Sequence, residues 1–119
     1  EKSYEINENS GLSLIKGKVI KFKKNFMNVG WNSIDLKKGN KAENTLLSNN
    51  LNNKYMYFIH SYHSIPDEKI YISSTSEFEK EEFVSSIKNQ NLFAFQFHPE
   101  KSGENGIKIY KEIERRLVQ

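Results

Sequence analysis

The sequence contains no cysteine, which excludes disulfides, thiolate metal sites and a cysteine nucleophile among its own residues. It also lacks any apolar run approaching the roughly 20 residues that span a bilayer, and no secretory leader is expected. The expectation is a soluble, cytoplasmic protein without a membrane partner. Charge of one sign is not in excess, with 18 Lys and Arg against 15 Asp and Glu. The basic residues are scattered apart from Lys21, Lys23 and Lys24, so the clustered patch that a phosphate backbone requires is missing and no nucleic-acid partner is expected. No Gly-x-Ser-x-Gly string occurs, which removes the nucleophile turn of a serine hydrolase. Internal repeats and low-complexity linkers are absent too. Proline is scarce, at two residues in 119, and one of them, Pro99, carries weight below.

What is present suits one modest core. Hydrophobic residues make up 36% of the chain, aromatic ones 13% and charged ones 28%, so the fold should be built on aromatic-rich strands and form one domain or part of one. Residues 1–10 are polar, begin without Met and show no helix start, and read as the cut end of a longer protein. Strands are expected at Lys18–Phe22 and Val29–Ile34. Residues 37–54, rich in Asn and Lys, read as a surface connection in which Ala42–Leu51 could form a turn or two of helix. Tyr55–Ile59 is a continuous apolar run, the pattern of a central strand buried on both faces. Further strands are expected at Ile70–Thr75 and Phe83–Ile87, the latter joined through Asn89-Gln90-Asn91 to Leu92–Phe97 as a hairpin. From Gly103, residues Ile107, Tyr110, Ile113 and Leu117 recur at helical spacing, with Ser102 as cap, Glu104 in the first turn, and Arg115 and Arg116 in the last.

The chemistry-bearing segment is Phe95-Gln96-Phe97-His98-Pro99-Glu100-Lys101-Ser102, which runs from a strand into a helix start. Residues two apart in extended chain point the same way, so the His98 imidazole and the Glu100 carboxylate can meet locally. Pro99 biases His98 away from helical angles. A carboxylate on an imidazole fixes its tautomer and stabilises its protonated form, as a general base for a thiol or hydroxyl requires. The competing reading is a strand-end histidine with a nearby salt bridge. A metal site built from His60, His63 and His98 is possible on count alone, but the spacing of His60 and His63 does not make them converge.

Gln96-Phe97-His98-Pro99-Glu100-Lys101-Ser102-Gly103 resembles the His-Pro-Glu motif of class I glutamine amidotransferases, in the form found in the glutaminase subunit of imidazole glycerol phosphate synthase. Gly17-Lys18-Val19, Gly30-Trp31-Asn32 and Tyr57-Phe58-Ile59-His60-Ser61-Tyr62 resemble further landmarks of that family, in the same order along nearly the whole chain. The resemblance implies an α/β chain, the carboxyl-terminal portion of a flavodoxin-like amidotransferase fold, with a mixed sheet, a hairpin and a terminal helix. Residues 1–119 would then be the carboxyl-terminal part of a single domain. In this family Phe-Glu-Lys-Ser follows the nucleophilic cysteine closely, and Glu1-Lys2-Ser3 matches its last three residues, so the thiol is expected just upstream.

The resemblance also implies roles. His98 and Glu100 are the catalytic base and its orienting acid, and His60, Ser61 and Tyr62 bind the glutamine substrate, chiefly through main-chain groups. Trp31, Asn32 and Tyr57 face a cyclase subunit near the ammonia route, with ordinary aromatic core the competing reading for Trp31 and Tyr57. Lys101 would form an interface salt bridge in that heterodimer. No cofactor and no metal are implied. Many family members carry His where this chain has Asn28, and an amide cannot titrate. A paralogous glutaminase that feeds nucleotide-sugar or surface-glycan synthesis is therefore a second reading, and an inactive docking fragment a third.

Overall fold

A computed structural model describes residues 3–5, 17–24, 26–37, 47, 49–89 and 92–117. Among the described residues nine strands precede one α-helix: β1 (Ser3–Glu5), β2 (Gly17–Lys21), β3 (Asn28–Ser33), β4 (Asp35–Leu36), β5 (Tyr55–His60), β6 (Tyr62–Pro66), β7 (Ile72–Phe78), β8 (Glu81–Asn89), β9 (Leu92–Phe95) and α1 (Gly103–Leu117). They pair as β1-β2-β6, β3-β5 and β4-β7-β8-β9. Each described pairing is antiparallel, and the parallel neighbours that a mixed sheet implies are not among the described strands. The architecture is α/β, mostly strand, with the expected hairpin β8-β9 and the terminal helix in place. Among the described residues no helix is long and apolar enough to cross a membrane.

The core is aromatic at its centre. Phe22, Phe58, Phe83 and Phe97 are buried together with Ile34, Leu47, Leu51, Met56 and Ile109. Each fully buried side chain of this size contributes about 1.5–3 kcal/mol by leaving water. Phe22 meets Phe78 and Phe83 edge-on at 5.0 and 5.2 Å, the arrangement that ring quadrupoles prefer.

Strand β5 differs from the expectation of burial on both faces. Met56, Phe58 and His60 are buried, while Tyr55 and Ile59 are exposed and Tyr57 is half-buried. The register explains the alternation: Asn28-His60, Gly30-Phe58 and Asn32-Met56 share the inner face, and Val29-Ile59, Trp31-Tyr57 and Ser33-Tyr55 the outer one. Phe58 thus lies opposite Gly30, which presents no side chain against its ring. β5 is still flanked on two edges. β3 takes one, and on the other the Tyr55 carbonyl accepts from Asn105 Nδ2 at 2.9 Å while the Tyr57 carbonyl accepts from the His98 N–H at 2.9 Å.

Other elements depart in extent. β7 and β8 run on to a tight turn at Glu79 and Lys80, both at positive φ, 51° and 66°. That turn twists with the strands as two-residue hairpins require, but its charged residues carry no glycine signal. Of Ala42–Leu51, Leu47 and residues 49–51 lie within the described residues; Asn49–Leu51 form one 3₁₀ turn, and the remainder lies outside them. In α1, Glu104, Arg115 and Arg116 occupy the ends as expected, yet Ile107 and Tyr110 are exposed. The buried stripe is Gly106, Ile109 and the half-buried Ile113. Ser102 explains this rotation: its hydroxyl bonds the preceding loop and β5, which fixes where the helix starts.

Gly106 sits against the Pro99 carbonyl, and a Cβ there would run into that oxygen. Gly106→Ala should destabilise the fold by about 1–3 kcal/mol, whereas Ile107→Ala, at 52% exposure, should stay within about 0.5 kcal/mol. Urea titration of the two variants side by side checks both.

Candidate active site

β9 ends at Phe95, and the buried Phe97 anchors the chain just before His98. His98 holds extended angles, φ −106° and ψ 99°, and Pro99 opens a single 3₁₀ turn, Pro99–Lys101. This is the conformation that a residue before proline favours. The His98 N–H donates to the Tyr57 carbonyl, and the Lys101 N–H donates back to the His98 carbonyl at 3.0 Å. Ser102, 1% exposed, completes the junction: its hydroxyl donates to the His98 carbonyl at 2.6 Å and accepts from the Tyr57 N–H at 3.0 Å. The base-bearing residue is thereby fastened to β5 through main-chain atoms, leaving its side chain to point outward.

His98 Nδ1 lies 2.9 Å from Glu100 Oε2, with the two side chains 38% and 53% exposed. An ionised carboxylate only accepts, so Nδ1 carries the proton, and in the neutral ring Nε2 presents its lone pair. The Glu100 carboxyl is held below the usual glutamate range, first by this bond from His98, then by its own backbone N–H, with weaker help from the charges of His98 and Lys101. The arrangement can accept a proton at Nε2 and hold the resulting imidazolium, which is the work of a general base.

The other expected residues are distributed differently. His60 is buried with both ring nitrogens engaged, Nε2 at 3.0 Å from Asn28 Nδ2 and Nδ1 at 2.9 Å from the Tyr62 carbonyl. Burial lowers its pKa, the bond to Tyr62 opposes that, and the charges of His63 and His98 lower it further. Ser61 is half-buried at the bend joining β5 to β6, its carbonyl accepting from the Phe22 N–H at 3.1 Å. Trp31 and Tyr57 meet edge-on at 5.5 Å, and Trp31 is 52% exposed, so it is not core. Asn32 does not share their face: it points to the inner side, where Nδ2 donates to the Glu77 carbonyl at 2.9 Å. Lys101 is exposed on the 3₁₀ turn. The structure thus joins His98, Glu100 and the Tyr57 main chain, and sets Asn32 apart from Trp31.

Two contacts escape the sequence reading. Ser102 was legible only as a helix cap. The Asn28-His60 pair follows once Trp31 is set opposite Tyr57, because antiparallel register then places residues 28 and 60 across from one another.

The profile described as glutamine amidotransferase class-I matches residues 8–113, which is most of the chain. The chain belongs to the class I glutamine amidotransferase family. It is similar to imidazole glycerol phosphate synthase subunit HisH of Pyrococcus furiosus, 40% identical over 116 residues, covering 97% of this chain and 58% of that protein. The same subunit of Methanocaldococcus jannaschii is 46% identical over 115 residues, with 95% and 56% covered. That of Aquifex aeolicus is 37% identical over 118 residues, with 98% and 55% covered. The chain spans about half the length of the curated relatives it matches. Membership agrees with the amidotransferase motifs read from the sequence.

Glu100 has a depressed pKa in the folded state, so the pairing it contributes is present above the ordinary carboxylate range and is lost as pH falls through the lower, folded value. Carboxyl NMR should place the Glu100 midpoint below that of an ordinary glutamate, and His98→Ala should raise it back towards the ordinary value. An unchanged midpoint in that variant would mean that His98 does not hold the carboxylate.

Proposed function

We propose that the full-length protein is a cytoplasmic glutaminase subunit that hydrolyses glutamine to glutamate and ammonia. The ammonia passes to a cyclase partner in imidazole glycerol phosphate synthesis, a step of histidine biosynthesis. Residues 1–119 form the carboxyl-terminal, base-bearing part of a single amidotransferase domain, and the thiol lies outside them. The observation that carries this reading is the 2.9 Å His98-Glu100 pair in a chain of an amidotransferase family. The relatives' names supply the pathway, and the word subunit supplies the idea of a partner.

The chemistry follows from the base. A cysteine thiolate attacks the side-chain carbonyl carbon of glutamine, and the amide nitrogen departs as ammonia with the proton from His98 Nε2, leaving a γ-glutamyl thioester. Water then attacks the thioester carbonyl, His98 Nε2 takes its proton, and glutamate leaves as the thiolate is released. Glu100 holds the ring in one tautomer throughout and stabilises its charged form. Ser61 and Tyr62 contribute main-chain contacts to glutamine. The His60 main chain joins them, while its buried, doubly engaged ring supports that bend.

The outer face of β3 and β5 is the surface proposed for the cyclase. Trp31, Val29, Tyr55 and Ile59 are exposed there beside Tyr57, an apolar, aromatic composition typical of interface centres. Lys101 contributes charge at its rim, and Asn32 braces β3 from behind.

In the full-length protein with its cyclase, His98→Ala should reduce glutamine hydrolysis by at least about 10²-fold while ammonia-dependent synthesis survives. Equal loss of both activities would make His98 structural. The 119-residue chain alone should release no glutamate above buffer. Trp31→Ala should weaken cyclase binding by about 2 kcal/mol or more, measured by calorimetry, without moving the pH profile of glutamine hydrolysis.

A further inference from the structure

Register sets Asn28 directly opposite His60, and the two are buried at 3% and 9% exposure. The Tyr62 carbonyl only accepts, so His60 Nδ1 must carry the proton of the 2.9 Å bond between them. A neutral ring then leaves Nε2 as an acceptor, and Asn28 Nδ2, at 3.0 Å, must donate to it. One residue back, the Ser61 carbonyl is held by the Phe22 N–H. The bend between β5 and β6 is therefore tied twice, once to β2's end and once through a relay from the amide of β3.

We infer that Asn28 is a positioning residue for glutamine binding: by donating to His60 it selects the Nδ1–H tautomer, which holds the Tyr62 carbonyl and sets the Ser61-Tyr62 backbone. The inference rests on the glutaminase reading and gives the amide at this position a role that needs no titration. The rings of Phe22, Phe58 and Phe83 stand 5.0, 5.5 and 5.0 Å from the imidazole, so its nitrogens are largely screened from bulk water. The titratable groups that reach it are His63, which faces Glu81, and His98, which faces Glu100.

Substitution can separate donor from acceptor. Asn28→Leu removes the donor at similar volume. Asn28→Asp replaces it with an acceptor, and two acceptors around one ring are both satisfied only by the imidazolium, so raising the pH leaves one of them facing a lone pair. Asn28→His restores a donor.

The test is steady-state glutamine hydrolysis by the cysteine-bearing full-length protein with its cyclase, from about pH 6 to about pH 9. Asn28→Leu should raise KM for glutamine about tenfold, the effect of one lost buried hydrogen bond, with kcat changed by no more than about twofold. Asn28→Asp should give a KM that climbs with pH, and Asn28→His should return KM to within about twofold of the parent. An unchanged KM in Asn28→Leu, or a flat pH dependence in Asn28→Asp, overturns the inference and leaves the glutaminase reading standing. A parent protein that hydrolyses no glutamine removes both. Imidazole nitrogen NMR of the parent reads the tautomer without any variant: Nδ1–H on His60 is expected, and Nε2–H overturns the inference.

Discussion

The site depends on a main-chain seam between the middle of β5 and the segment from His98 to Ser102. Tyr57 accepts from the His98 N–H and donates to the Ser102 hydroxyl, and that hydroxyl in turn donates to the His98 carbonyl. Three hydrogen bonds join part-buried groups of these three residues, so leaving any partner unpaired costs part of its desolvation as well as the bond. Among the described residues no strand pairs with β5 on that side, and the seam occupies that edge. It fixes His98 relative to β5, sets the start of α1, and turns the imidazole and Glu100 towards solvent together.

Two histidines in this small fold show how surroundings divide roles. His60 lies among phenylalanine rings with both nitrogens committed, and burial lowers its pKa, favouring the neutral ring. It acts as a rivet between β3, β5 and the start of β6. His98 is half-exposed and bonded at one nitrogen by a carboxylate, which leaves the other available for proton transfer. The difference comes from position along strands that touch: His60 closes an inward-facing series, while His98 follows the end of β9 at a proline-led turn.

Much of this was legible in the sequence where a local rule carried it. The His98-Glu100 contact needs only extended backbone and Pro99. The hairpin β8-β9 and the terminal helix followed from polar turn residues and end charges. Tertiary contacts account for what was not. The apolar run at Tyr55–Ile59 resembles a doubly buried strand because tyrosine and isoleucine read as core residues, yet Tyr55 and Ile59 lie on an exposed face. The helix presents Gly106 and Ile109 inward because Ser102 fixes its start and Gly106 has no side chain to clash with the Pro99 carbonyl, and no spacing of large apolar residues reveals that. Asn32 parted from Trp31 for the simplest reason, since adjacent strand residues point to opposite faces.

We propose above all that His98 faces a cysteine thiol outside these 119 residues. The most direct measure is the pH dependence of cysteine alkylation by iodoacetamide in the full-length protein, compared with His98→Gln. A neighbouring imidazolium stabilises the thiolate, so the parent should react with a midpoint well below the ordinary thiol value of about 8.5, and the variant should return to it. Superimposable profiles would place the histidine away from the nucleophile and contradict the account.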